Sequence, residues 1–368
     1  MPSPPEFRFG EGRISGVLSF ALGALSVLAV LCFRFPALLT TPDVRAAVPV
    51  DALRVVLLVA ILLAAVLGAL SFALGGRRRL ALGGVALAAL AVVLGGAWVE
   101  TPSSVPARRG LGLDWFVLNL LVLALVFVPV ERLFARRPEQ RIFRKGWRCD
   151  LAHFFASHLL VQVTVLLAMA PAAWALSGVV VAPLQASVRA LPWAVQLVLA
   201  MLVADLFQYA GHRAFHAVPF LWRFHAVHHS PEELDWLAGS RLHLVDIVAI
   251  RALAFAPLFW LGFDPEPVAA YLVFASFQAV FNHANVRFEG RALRWLIATP
   301  AYHHWHHAKD ADAVDVNFAA HLPVIDLVFG TAHAPGGFPR ALGVLGEAPP
   351  PTWWGQLVWP FRRPRRAR

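Results

Sequence analysis

The chain has 368 residues, 59% hydrophobic and only 15% charged, with a mean hydropathy of +0.64. That balance excludes an ordinary soluble domain and leaves length for six to eight membrane crossings of about 20 residues each. A net charge of +10 on such a chain points to cytoplasmic loops and anionic headgroups, not to nucleic acid, and two cysteines without a C-x-x-C offer no thiolate metal centre.

Residues 14–33 carry no charge and follow Arg8 and Arg13. They are too long for a signal-peptide core and lack a small-residue cleavage site, so they read as a first membrane helix. Residues 55–76 make a second, closed by Arg77, Arg78 and Arg79, and residues 80–99 a third. Residues 100–110, with prolines and serines, form a linker. A fourth span at 115–130 leads into an arginine-rich loop at 131–148. Residues 151–188 carry no formal charge and are too long for one crossing; a helix to about residue 178 and an interfacial connection are expected. Further spans are expected at 191–211, 246–263 and 268–285. The fold class is therefore all-α, a polytopic membrane protein of about eight transmembrane helices. Three regions follow: an N-terminal extension (1–110), a histidine-rich domain (111–345) and a Trp- and Arg-rich tail (346–368). Eight spans place all three basic blocks in the cytoplasm.

The histidines are not scattered. His212 and His216 end the sixth span; His225, His228 and His229 form H-x-x-H-H, which returns as His303, His306 and His307. Residues three and four apart share a helix face, so each cluster can aim several imidazoles at one point. His243 and His283 return to the same membrane face. These ten suit two metal ions better than one four-coordinate zinc, on the cytoplasmic side of the membrane. Asp205 and Tyr209 lie on the stripe that presents His212 and His216, where they are expected to fix imidazole orientation. Asp205 is costly at the end of an apolar span and so marks function. His153, His158, His304, His321 and His333 read as structural or surface groups.

The text D-x-x-x-Y-x-x-H-R-x-x-H (205–216), W-R-x-H-x-V-H-H-S (222–230), R-x-H with Asp246 three later, H-x-N at His283 and Asn285, T-P-x-x-H-x-x-H-H (299–307), D-x-N-F and D-x-x-F-G-T (to 331) resembles the fatty acid hydroxylase/sterol desaturase superfamily. The resemblance covers roughly residues 111–331. It implies two non-haem irons, O2 as co-substrate, attack on an unactivated C–H bond of a lipid, and a part for Asn285 at the site. Asp246 stands where family members often carry glutamate. The chain has no haem, flavin or cysteine-cluster motif of its own, so a separate reductase, ferredoxin or cytochrome is the expected electron donor. A metal transporter would want its ligands near the bilayer midplane, and a scaffold would not need intact histidine clusters.

Overall fold

The computed structural model describes residues 12–40, 49–75, 78–101, 113–159, 167, 170–171, 174, 177–290 and 293–362. Among these residues the chain is helical, with one isolated β-bridge, Ala308 to Leu342, and no strand. It divides into two compact units, residues 1–139 and 140–368.

The first unit holds α1 (Arg13–Arg34), α2 (Val50–Ala73), α3 (Arg78–Val93) and α4 (Leu113–Leu133). The first three pack on one another around Val30, Phe33, Leu57, Ile61 and Ala88. Small residues let the backbones approach: a Cβ on Gly84 would lie 2.0 Å from Ser19 Oγ, and that hydroxyl donates to the Ala64 carbonyl at 2.7 Å. The fourth helix groups with these three, beyond the expected boundary at residue 110.

The second unit holds α5 (Trp147–Leu159), α6 (Ala182–Arg189), α7 (Trp193–Ala217), α8 (Pro219–His229), α9 (Leu244–Leu261), α10 (Pro265–His283), α11 (Pro300–His306), α12 (Val324–Phe329) and α13 (Trp353–Val358). Helix α7 packs against α9 and α10 around Ala200, Ala204, Ala254, Leu258 and Tyr271. At its end Val218 is extended and Pro219 opens α8. Proline forces the preceding residue out of the helix and suits the first helical position. The chain turns sharply there, and the second histidine cluster faces the first.

Among the described residues, five helices are long and apolar enough to cross a membrane: Arg13–Arg34, Val50–Ala73, Arg78–Trp98, Trp193–Ala217 and Leu244–Leu261. They lie over five of the eight expected spans. Helices α4 and α10 lie over the expected fourth and eighth but are not among the five; α10 carries Glu266, Gln278 and Asn282. Residues 160–166, 168–169, 172–173 and 175–176 of the expected span at 151–178 lie outside the described residues, as do residues 102–110 of the linker and residues 363–368.

Candidate metal centre

Nine of the ten expected histidines converge in two adjoining groups. His212, His216, His225, His229 and His306 form one, and His228, His283, His303 and His307 the other; within each, one nitrogen per ring lies within 4.8 Å of all the others. All nine are buried except His216, which is half-buried. The groups abut, with the His229 and His307 ring centroids 4.4 Å apart.

The repeated H-x-x-H-H divides in opposite senses. In the first copy the i, i+4 pair, His225 and His229, joins the group of five, and His228 joins the group of four. In the second copy His303 and His307 join the group of four and His306 crosses over. One helix from each copy thus serves both groups, as helical spacing allows.

The outer nitrogens show which tautomer each ring adopts. A carbonyl or carboxylate oxygen can only accept, so a ring nitrogen bound to one carries the proton. His212 Nδ1 meets the Phe318 carbonyl at 2.7 Å, His306 Nδ1 the Val316 carbonyl at 2.7 Å, and His216 Nδ1 Asp315 Oδ1 at 3.0 Å. His225 Nδ1 donates to Asp246 Oδ2 at 2.7 Å, His228 Nδ1 to the Arg241 carbonyl at 3.1 Å and His283 Nδ1 to the Ala279 carbonyl at 2.7 Å. Every one of these Nε2 atoms therefore presents a lone pair inward.

Two such lone pairs face each other at 2.9 Å between His212 and His225, and two more at 3.2 Å between His228 and His283. Without a cation between them these contacts are repulsive. Nitrogens at right angles around an ion with bonds of about 2.1 Å would stand about 3 Å apart. Buried Nε2 atoms of His216, His229 and His306 also have no hydrogen-bond partner, which burial makes costly. The residues present thus fit metal binding. Burial, then repulsion from neighbouring imidazoles, pushes the pKa of His225, His229, His303, His306 and His307 well below the usual histidine value, which keeps them in the neutral, metal-binding form.

Residues 315–322 form the frame for this arrangement. Asp315 and Asn317 adopt left-handed backbone angles, φ 55° and 57°, a strained conformation that concentrates at functional sites. Asn317 Nδ2 bonds the carbonyls of Tyr302 and His333. Asp326 accepts from the amides of Phe318 and Ala319 and from the Tyr302 hydroxyl. Asp205 accepts from the amides of Ala320, His321 and Leu322 at 2.9, 3.1 and 2.6 Å.

Asp205 therefore acts at one remove. It was expected to orient an imidazole of the site; it instead fixes the segment whose Phe318 carbonyl orients His212. Tyr209 hydrogen-bonds Thr331 Oγ1 and receives Arg213 NH1, and Asn285 is buried two residues after His283. His243 lies outside both groups, contrary to its expected ligand role. Its Nδ1 accepts from the Val245 amide and caps α9, and its Nε2 donates to the Leu357 carbonyl at 3.0 Å. Both ring nitrogens are occupied, and no lone pair remains for a metal. Sequence reasoning missed Asp315 and Asp326 as individual actors, although both lie in the quoted D-x-N-F and D-x-x-F-G-T text. Arg241 ion-pairs with buried Asp150, which also takes Arg144 at 2.6 Å, so the R-x-H motif fixes the carbonyl that holds His228.

Residues 197–331 match the model of the fatty acid hydroxylase family. This segment of the chain resembles that family. The matched segment includes all nine converging histidines and also Asp205, Asp246, Asp315 and Asp326. Ornithine lipid hydroxylase OlsE of Rhizobium tropici is 34% identical over 180 residues, 48% of this chain and 53% of that protein. Human alkylglycerol monooxygenase is 30% identical over 135 residues, 37% of this chain and 30% of that protein. Very-long-chain aldehyde decarbonylase GL1-1 of rice is 34% identical over 137 residues, 34% of this chain and 22% of that protein. The match thus spans about half the length of the bacterial relative and less than a third of the other two. No solved structure matches the chain.

Proposed function

We propose that the protein is a membrane-embedded, O2-dependent lipid hydroxylase that holds two iron ions in its two histidine groups. The observation that carries this reading is the opposed lone pairs of His212 with His225 and of His228 with His283. When bound, the two ions supply O2 activation and attack on an unactivated C–H bond. The chain's own residues do the rest. Nine imidazoles hold the ions; Asp246 and Asp315 keep the proton of His225 and His216 on Nδ1; burial of the rings limits access of water. Asp205, Tyr209 and Asn285 support the site.

The relatives support a substrate class. Ornithine lipid and alkylglycerol are both lipids with a polar head, and both named activities insert oxygen. A polar-headed lipid, hydroxylated on an aliphatic carbon, is accordingly our reading. We also propose eight crossings with the histidine groups at the cytoplasmic face, and a separate electron donor steered to the basic loops there. The deciding experiment pairs iron per purified chain with lipid analysis of a deletion strain against its parent. Two irons and the disappearance of an oxygenated lipid are expected. Iron-free protein from iron-replete cells, or an unchanged lipid profile, would sink the reading.

A further inference from the structure

Helix α13 and the turn Trp359–Phe361 that follows it have two unlike faces. The inner face is fastened down. Gln356 is fully buried; its Oε1 lies 2.8 Å from His153 Nε2, and its Nε2 donates to the Pro350 carbonyl at 2.9 Å. The Leu357 carbonyl receives His243 Nε2. Arg223 donates to the Trp359 carbonyl at 3.0 Å and lies over the Trp359 ring.

The outer face is apolar and open. Trp354 is 67% exposed, Val358 40% and Phe361 66%. Positions 354 and 358 are one helical turn apart and share a face. In sequence the chain runs on from 362 to 368 as RRPRRAR, five arginines without an acid.

The surroundings say what covers this face. Phe361 packs edge-on against Phe224, and Phe224 against Phe220. Phe220, itself 58% exposed, stands three residues past the end of the candidate span Trp193–Ala217. His243, which grips Leu357, caps the next candidate span, Leu244–Leu261. The segment therefore lies where one span leaves the membrane and the next enters it. Tryptophan and phenylalanine beside arginine at that depth suit the headgroup layer, and the arginines suit anionic lipid.

We propose that residues 353–362 are an interfacial anchor for an anionic bilayer surface. Trp354, Val358 and Phe361 seat in the headgroup layer, Arg362 meets lipid phosphate, and the inner face ties this contact to α8, the helix that carries His225, His228 and His229. The proposal depends on the membrane spans and not on the reaction.

The test uses the full chain with Cys32→Ala and a nitroxide on Val358→Cys, in nanodiscs of phosphatidylcholine alone or mixed with phosphatidylglycerol. Collisions with O2 and with a water-soluble nickel chelate report depth. In the anionic discs the label should lie about 5–10 Å into the headgroup and acyl boundary. It should move toward water in phosphatidylcholine alone, or when the five arginines become glutamine. Water-like nickel access in both lipids would overturn the proposal. So would shielding from both probes, which would mean that a protein partner or a second copy covers the face, and so would a depth indifferent to lipid charge. A second label on Trp354→Cys repeats the measurement should Val358→Cys not fold.

Discussion

In the group of five, four rings donate a hydrogen bond from Nδ1 to an acceptor, and two of those acceptors are carboxylates, Asp315 and Asp246. In the group of four only His228 and His283 do so, both to backbone carbonyls; the Nδ1 atoms of His303 and His307 are buried without a partner. The same sequence repeat thus yields one group braced by charge and one braced more lightly. An acceptor behind an imidazole fixes its orientation and raises its basicity. The comparison teaches that matching histidine spacing does not make matching sites, and that the group of five should hold its ion more tightly.

The largest effect should come from removing a ring from the smaller group. His283→Ala leaves three imidazoles there and should take metal content down by about one ion per chain. His229→Ala leaves four in the larger group, which should keep more of its metal. Product should vanish in both, since each ion needs its full set, while membrane insertion stays normal because the apolar spans are untouched. Metal analysis of detergent-purified variants beside product assays checks this. Equal metal loss in both variants would erase the inequality between the groups.

Asp246→Asn comes next. It removes the charge behind His225 but keeps an oxygen that can accept. Metal affinity of the group of five should fall by about ten- to a hundredfold, with the group of four unchanged. Competition with a chelator, followed for the two ions separately, measures it. Weakening of both ions alike would mean that Asp246 acts on the fold and not on one site.

Asp246 also shows where the sequence stopped being informative. The clustering of nine histidines was legible because helical spacing is local, and so was the apolar character of the spans. The partner of each ring was not. His225 meets an aspartate 21 residues away and His216 one 99 residues away, distances that only tertiary folding closes. Asp205 shared a helical stripe with His212, yet its carboxylate turned to three backbone amides from the 320–322 segment. Gln356 and His153, 203 residues apart, left no trace in any local pattern.

His243→Ala tests the histidine that spacing placed among the ligands. Its side chain caps α9 and holds Leu357. Losing a cap costs about 1 kcal/mol, so thermal stability should fall modestly while metal content stays at the parental value. His243→Asn should restore most of the stability, because asparagine also caps a helix N-terminus. Loss of metal that asparagine does not rescue would return His243 to the ligand set.

The smallest effect should belong to His333. Its ring lies 5.0 Å from that of Trp305, and its buried Nε2 has no partner, so truncation to alanine breaks no side-chain hydrogen bond at that atom. The contacts that matter are made by the backbone. The His333 amide donates to Asn317 Oδ1 and its carbonyl accepts from Asn317 Nδ2, both at 2.7 Å, and His333→Ala keeps both. Asn317 therefore stays in its left-handed conformation, and with it the carbonyls of Val316 and Phe318 that orient His306 and His212. Metal per chain and product per chain should both remain near the parental level. A fall in metal as large as that of His283→Ala would instead make His333 a tenth ligand and dissolve the division into five and four.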